Sequence, residues 1–115
     1  MAITEAFSVT ETVTTTEHSF TTDTAGPDVD TSDGIFQGFF DCSALVAADE
    51  FEFAVYEKAQ SAGTQRKIWT QRVKGVQSTP IFVTPALVLM HGWDMTWKKI
   101  AGTDRSIEGS IRKIA

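Results

Sequence analysis

Residues 90–115 read MHGWDMTWKKIAGTDRSIEGSIRKIA, and the reading of this stretch decides the fold. Trp93, Met95 and Trp97 alternate with Asp94, Thr96 and Lys98, the period of two that sends successive side chains to opposite faces of a strand. AGTDR (101–105) supplies a turn around Gly102, and SIEGSIRKI follows with Ile107 and Ile111 on one face. The stretch is expected to be a β-hairpin.

The same period recurs upstream. Phe7, Val9 and Val13 are apolar, Ser8, Thr10 and Thr12 stand between them, and only Glu11 breaks the pattern. TTTEHSFTTDTAGPDVDTSDG (14–34), rich in Thr and Asp, reads as extended chain passing into a long loop. Residues 1–33 are therefore expected to form an N-terminal arm, or a first strand plus loop, and residues 34–115 the body. GIFQGFF (34–40) carries bulky residues on both faces, and FEFAVYEKA (51–59) sets Phe51, Phe53 and Val55 on one side. The second segment also fits a helix, with Phe51, Ala54, Val55, Ala59 and Ala62 on one face and Gly63 as its cap, but its aromatic and β-branched content favours a strand. SAGTQ (61–65) is a turn. In KIWTQRVKGVQ (67–77), Trp69, Gln71 and Val73 share a side, and a bulge near Gly75 is expected to absorb a slip in phase. Pro80 and Pro85 bracket IFVT (81–84), which places it at a sheet edge or bend because proline has no amide to donate. ALVLM (86–90) is expected to resume as a buried strand. About seven strands, spaced roughly eight to twelve residues apart, predict an all-β chain: one antiparallel β-sandwich of jelly-roll or Greek-key type.

Composition narrows the function classes. A chain of 115 residues with 42% apolar residues, eight Phe and three Trp can bury one core without disulfides or metal. Net charge is −5, every Lys and Arg lies at or after Lys58, and these are interspersed with apolar residues rather than gathered in a stripe, so nucleic acid is not an expected partner. The apolar run near Ile81–Met90 is too short to cross a bilayer, and MAITEAFSVT has neither the basic nor the apolar part of a signal peptide; no membrane partner is expected. The single Cys42, in GIFQGFFDCSAL, reads as a small buried hydrophobe. With no Asn in the chain there is no N-glycosylation site, and turns fall to Gly and Asp.

Candidate sites are few. His91 and Asp94 are three apart, which on a strand sends them to opposite faces, so they do not converge on a metal. His18, in a polar Thr-rich segment, is expected in solvent. Asp28, Asp30 and Ser32 have the first spacings of a calcium loop, yet the sixth position is Asp33 instead of Gly and the twelfth is Phe39 instead of Glu. The loop is therefore either a turn whose Asp side chains bond their own backbone, which is the expectation, or a looser calcium or sodium site. No metal and no cofactor are expected. No Ser-His-Asp set, glycine-rich phosphate loop or carboxylate pair is recognisable, and the adjacent Asp49 and Glu50 diverge on a strand, so no catalytic residue is assigned and the chain is not read as an enzyme. Trp93 and Trp97 share their face with Met95, which favours core over a sugar-stacking platform.

The D-x-S-A-L-x-A-x-D run (41–49), the following E-F-x-V-Y-E-K strand (52–58), the A-G-T-Q-R turn (62–66), T-P-A-L-x-L-x-H-G-W-D (84–94) and the closing S-I-R-K-I-A (110–115) resemble small virion proteins encoded beside the capsid genes of tailed bacteriophages. The likeness covers residues 34–115. It implies a capsid cement or decoration protein: a β-sandwich made in the host cytoplasm that sits on the exterior of the virion shell and stabilises it. The implied partners are the major capsid protein and further copies of the chain on the lattice. Two other roles are a carbohydrate-binding module of a phage fibre, which would show at least two solvent-facing tryptophan rings, and a head–tail joining subunit. The N-terminal segment lies outside the resemblance. Its residues Ile3, Phe7, Val9 and Val13 are candidate partner-binding positions, because an alternating segment set off by a polar loop can add a strand to a neighbour. The other reading makes it the first strand of its own sandwich.

Overall fold

Wherever the alternation runs unbroken, a strand forms. The computed structural model describes residues 2–114 and contains β1 (Ile3–Val13), β2 (His18–Ser19), β3 (Gly34–Asp41), β4 (Glu50–Glu57), β5 (Arg66–Lys74), β6 (Ile81–Val83), β7 (Leu87–Leu89), β8 (Asp94–Ala101) and β9 (Arg105–Ile114). They build two antiparallel sheets: a five-stranded one in the order β1-β9-β3-β6, with β7 also on β3, and a four-stranded one in the order β2-β8-β4-β5. β6 and β7 lie end to end along β3, opposite Phe39–Asp41 and Gly34–Phe36. Counted as one strand interrupted by Pro85, they complete an eight-strand jelly-roll order. The fold is an all-β sandwich.

The expected hairpin over residues 93–111 does not form. β8 and β9 belong to different sheets, so the chain arches from one layer to the other. Both edges of β8 are already taken, by β4 and β2, which leaves β9 to pair with β1 and β3. Alternation marks a strand's faces; it carries no information about which edge its sequence neighbour will occupy.

The arch is fastened by Asp49. This buried carboxylate accepts the amides of Val46 (2.9 Å) and Thr103 (3.0 Å) and the Arg105 Nε–H (2.7 Å), while its carbonyl accepts the Gly75 amide. Gly102 has φ +91, and a Cβ there would run into Asp49 Oδ1, so the corner requires glycine. The Val46 and Thr103 amides first, with Arg105 behind them, lower the Asp49 pKa from 3.8 to about 2. A carboxyl more acidic folded than unfolded gives stability that is complete above its unfolded pKa and disappears as pH falls to the folded value. Asp49→Asn should therefore flatten the dependence of the denaturation midpoint on pH between 3.8 and about 2; an unchanged slope would remove Asp49 from the acid response.

Between the layers, Phe40 packs against Phe20 (5.6 Å between centroids), Phe53 (5.0 Å) and Trp97 (5.6 Å). Gly109 lets β9 pass beneath these rings, since a Cβ there would lie 2.8 Å from both Phe20 and Phe40. Three local expectations are corrected. The bulge in β5 falls at Ile68, because Val55 faces Trp69 while Tyr56 faces Lys67; Gly75 (φ +71) instead ends the strand. β7 is an edge strand with only Leu89 buried, and Val88 is 75% exposed. His18 is buried, at 8% exposure, because the Thr-rich segment returns to the sandwich as β2, pairs with Trp97 and Thr96 of β8, and sets the imidazole edge-on to Phe20.

That return covers the outer face of the four-stranded sheet at Asp94 and Thr96 of β8, while the outward residues Ile68, Thr70 and Arg72 of β5 stay exposed. Asp94, on the polar side of β8, is fully buried and accepts Ser19 Oγ (2.9 Å), Thr21 Oγ1 (2.8 Å) and the amides of Asp28 (2.7 Å) and Met95 (2.8 Å). Burial pushes its pKa up, against four donors that favour the carboxylate. Tyr56 and Thr96 donate to Glu17 and close the same flap.

Candidate functional site

β1 pairs with β9 from Ile3↔Ile114 to Val13↔Arg105, slipping once between Glu5 and Phe7. Of the two roles expected for this segment, the first strand of its own sandwich is the one the chain adopts. Val13 is fully buried, and Phe7 and Val9 are half-buried against the core, with the Phe7 ring 5.8 Å edge-on from Trp93. Ile3, 65% exposed, alone among the four candidate partner-binding residues faces outward.

Register gives Ile3 its company. Residues directly opposite in a ladder point to the same face, and Ile3 faces Ile114, which faces Ile35, which faces Val88. Four aliphatic side chains thus form one row across β1, β9, β3 and β7, on the outer face of the five-stranded sheet. Ile3, Ile35 and Val88 are all exposed. The next positions along the strands are polar: Glu5, Arg112 and Gln37. Beyond them lies a depression of about 440 Å³ lined by Phe39, Asp41, Ile81 and Glu108 among others, in which the Arg112 guanidinium lies 3.8 Å over the Phe39 ring. Ile81, exposed, lines this depression on β6, and the exposed Val83 pairs with Phe39 beside it. A row of this kind is invisible in any one strand, where each member is a single residue; only the register assembles it.

The remaining sequence candidates do not come together as a reactive site. Asp94 is committed to the flap, and His91 contributes its backbone, accepting the Lys58 amide (2.9 Å). Asp28 accepts the hydroxyls of Thr22 and Thr24, and Asp30 accepts the Ser32 amide (2.9 Å). Burial raises the Cys42 thiol to about 12, far from thiolate reactivity. Trp93 and Trp97 are fully buried, with Trp93 Nε1 donating to the Ser32 carbonyl (2.8 Å), and Trp69 is half-buried against Phe53 and Phe82. One constellation has no counterpart in the sequence reading: Glu11, His18 and Asp23, from three separate segments, meet at the β1/β2 edge.

No family model matches the chain, and no curated protein matches it. Among solved structures it is similar to the Eiger TNF from S. frugiperda, with 12% identity, 96% of this chain and 87% of that chain covered, and a TM-score of 0.42. It is also similar to a xylan-binding domain from CBM 22, with 15% identity, 86% of this chain and 64% of that chain covered, and a TM-score of 0.42.

Proposed function

We propose that the protein is a non-catalytic structural component of a phage virion, docking on the outer surface of the capsid and stabilising the shell. The observation that carries this reading is the row Ile3–Ile114–Ile35–Val88. Isolated exposed apolar residues are ordinary on a protein surface, but four on adjacent strands in one line form the apolar centre of an interface, and Glu5, Arg112 and Gln37 supply the polar rim. The resemblance of residues 34–115 to decoration proteins supports the capsid as the partner. Support for a binding role also comes from how the reactive groups are spent: Asp49 and Asp94 hold corners of the fold, and Cys42 is sealed in the core. Sugar binding on stacked tryptophans lacks its platform, since the Trp93 and Trp97 rings are both interior.

Val88→Asp tests the reading. At 75% exposure the substitution should change stability by no more than about 0.5 kcal/mol. Loss of a desolvated interface anchor worth about 2 kcal/mol should weaken binding to heads of the phage that carries the gene by more than tenfold, measured by co-sedimentation. Heads that retain Val88→Asp and Ile35→Asp as tightly as the parent would show that this face is not the docking surface.

A further inference from the structure

Glu11 is the residue that breaks the alternation of β1. Its register opposite Ile107 puts it on the core-facing side, between Val9 and Val13, where an aliphatic side chain is expected. A charged residue there is a local rule broken at a cost, the kind of departure that marks a functional position. Its Oε2 lies 3.3 Å from His18 Nδ1, and on the other edge of the ring Asp23 Oδ1 lies 2.8 Å from Nε2. The imidazole is fixed from behind, because β2 pairs with β8 and Phe20 meets the ring edge-on at 5.6 Å. Asp23 adopts a left-handed backbone (φ 57) and donates its amide to the Ser19 carbonyl (3.0 Å), which turns its carboxylate back over the histidine.

The geometry points to a binding site for one divalent transition-metal ion, zinc in the first instance, at Glu11, His18 and Asp23. One donor atom from each residue lies within 4.8 Å of the others. A tetrahedral ion with bonds of about 2.0–2.2 Å needs donors roughly 3.3–3.6 Å apart, so the set closes when Asp23 Oδ1 backs off from its 2.8 Å contact with Nε2 and the other separations, at most 4.8 Å, contract to that range. The side chains that must move are free to: those of Glu11 and Asp23 are 40% and 58% exposed, against 11% for His18. The ion takes Nε2 in place of the proton shared with Asp23, and Glu11, whose contact with the ring is the longer, swings from Nδ1 to join it. Water fills what remains. One imidazole with two carboxylates suits zinc or its neighbours; calcium and magnesium favour all-oxygen shells. Folding does not depend on this ion, because backbone pairing already holds β1 and β2 in place.

The test is calorimetric and thermal titration of the metal-free full chain with zinc chloride, with magnesium and calcium chloride as comparisons. One equivalent of zinc should bind in the micromolar range and raise Tm, while the other two salts should leave Tm where it is. Asp23→Asn, which tolerates the left-handed turn and keeps an acceptor for His18, should weaken zinc binding by at least about tenfold in a protein that still folds. Glu11→Gln should do the same, and His91→Ala, which alters the other histidine, should not. Absence of binding at millimolar zinc, or undiminished affinity in Asp23→Asn, would overturn the site.

Discussion

A chain lacking residues 2–16 should yield no folded protein. Removing β1 strips β9 of one of its two partners along nearly its whole length, leaving only β3 on the other edge, and takes Val13 out of the core, with Phe7 and Val9. A fully buried aliphatic side chain contributes about 1.5–3 kcal/mol, and total domain stability is on the order of 5–15 kcal/mol. One buried and two half-buried apolar side chains, together with a lost edge ladder, consume most of that margin. The bared edge of β9 would present unpaired amides and carbonyls to other chains, so the deleted protein is expected in the insoluble fraction. Far-UV circular dichroism and solubility after expression decide the matter. A soluble deletion product melting near the parent temperature would restore the view of this segment as a free arm that serves a partner.

Trp97→Ala is expected to cost about 3–5 kcal/mol, the range for emptying the site of a large buried aromatic. Its ring is fully buried and packs against Phe53 (5.2 Å), Phe82 (5.5 Å) and Phe40 (5.6 Å). The indole Nε1–H is buried with no acceptor among the described residues, so packing holds the side chain there. Trp97→Phe should consequently cost far less, since it retains an aromatic ring and removes the unpaired donor. Equilibrium denaturation of both variants checks the pair of values. Equal losses would mean that the indole N–H is bonded after all, and a Trp97→Ala protein of parental stability that no longer bound glycans would revive the tryptophan platform.

Alternation was enough to place β1, β4 and β8 within a residue or a few, bulky apolar content placed β3, and the regular spacing of turns was enough for the sandwich. What it could not resolve was anything set by which strand lies beside which. β8 and β9 look like a hairpin in sequence, and the competition that separates them, two partners already on β8, exists only in the assembled sheet. Alternation puts Asp94 on the polar side of β8 and goes no further; that side is polar for the flap at residues 17–30 that closes over it. His18 read as exposed because its segment is polar. The Glu11–His18–Asp23 constellation needed β1 and β2 brought together, although Glu11 was visible from the start as a misfit. The aliphatic row was the least legible of all, since its members are far apart in sequence and unremarked within their own strands.

The pairing of β1 with β9 also governs how the protein can be made. Among the described strands, only β4 and β5 are consecutive partners; every other ladder joins segments separated by at least one intervening strand, and the first strand is bonded to the last. Such non-local topologies fold on the millisecond-to-second scale, because loop closure must be accomplished before contacts reward it. During synthesis β1 emerges first and has no partner until β9 has cleared the ribosome, so it travels through translation as an unprotected amphipathic strand. A chain stalled before residue 105 would keep that strand bare, and its fate would rest on chaperones, whereas emergence of β9 supplies the strand that joins β1 to β3.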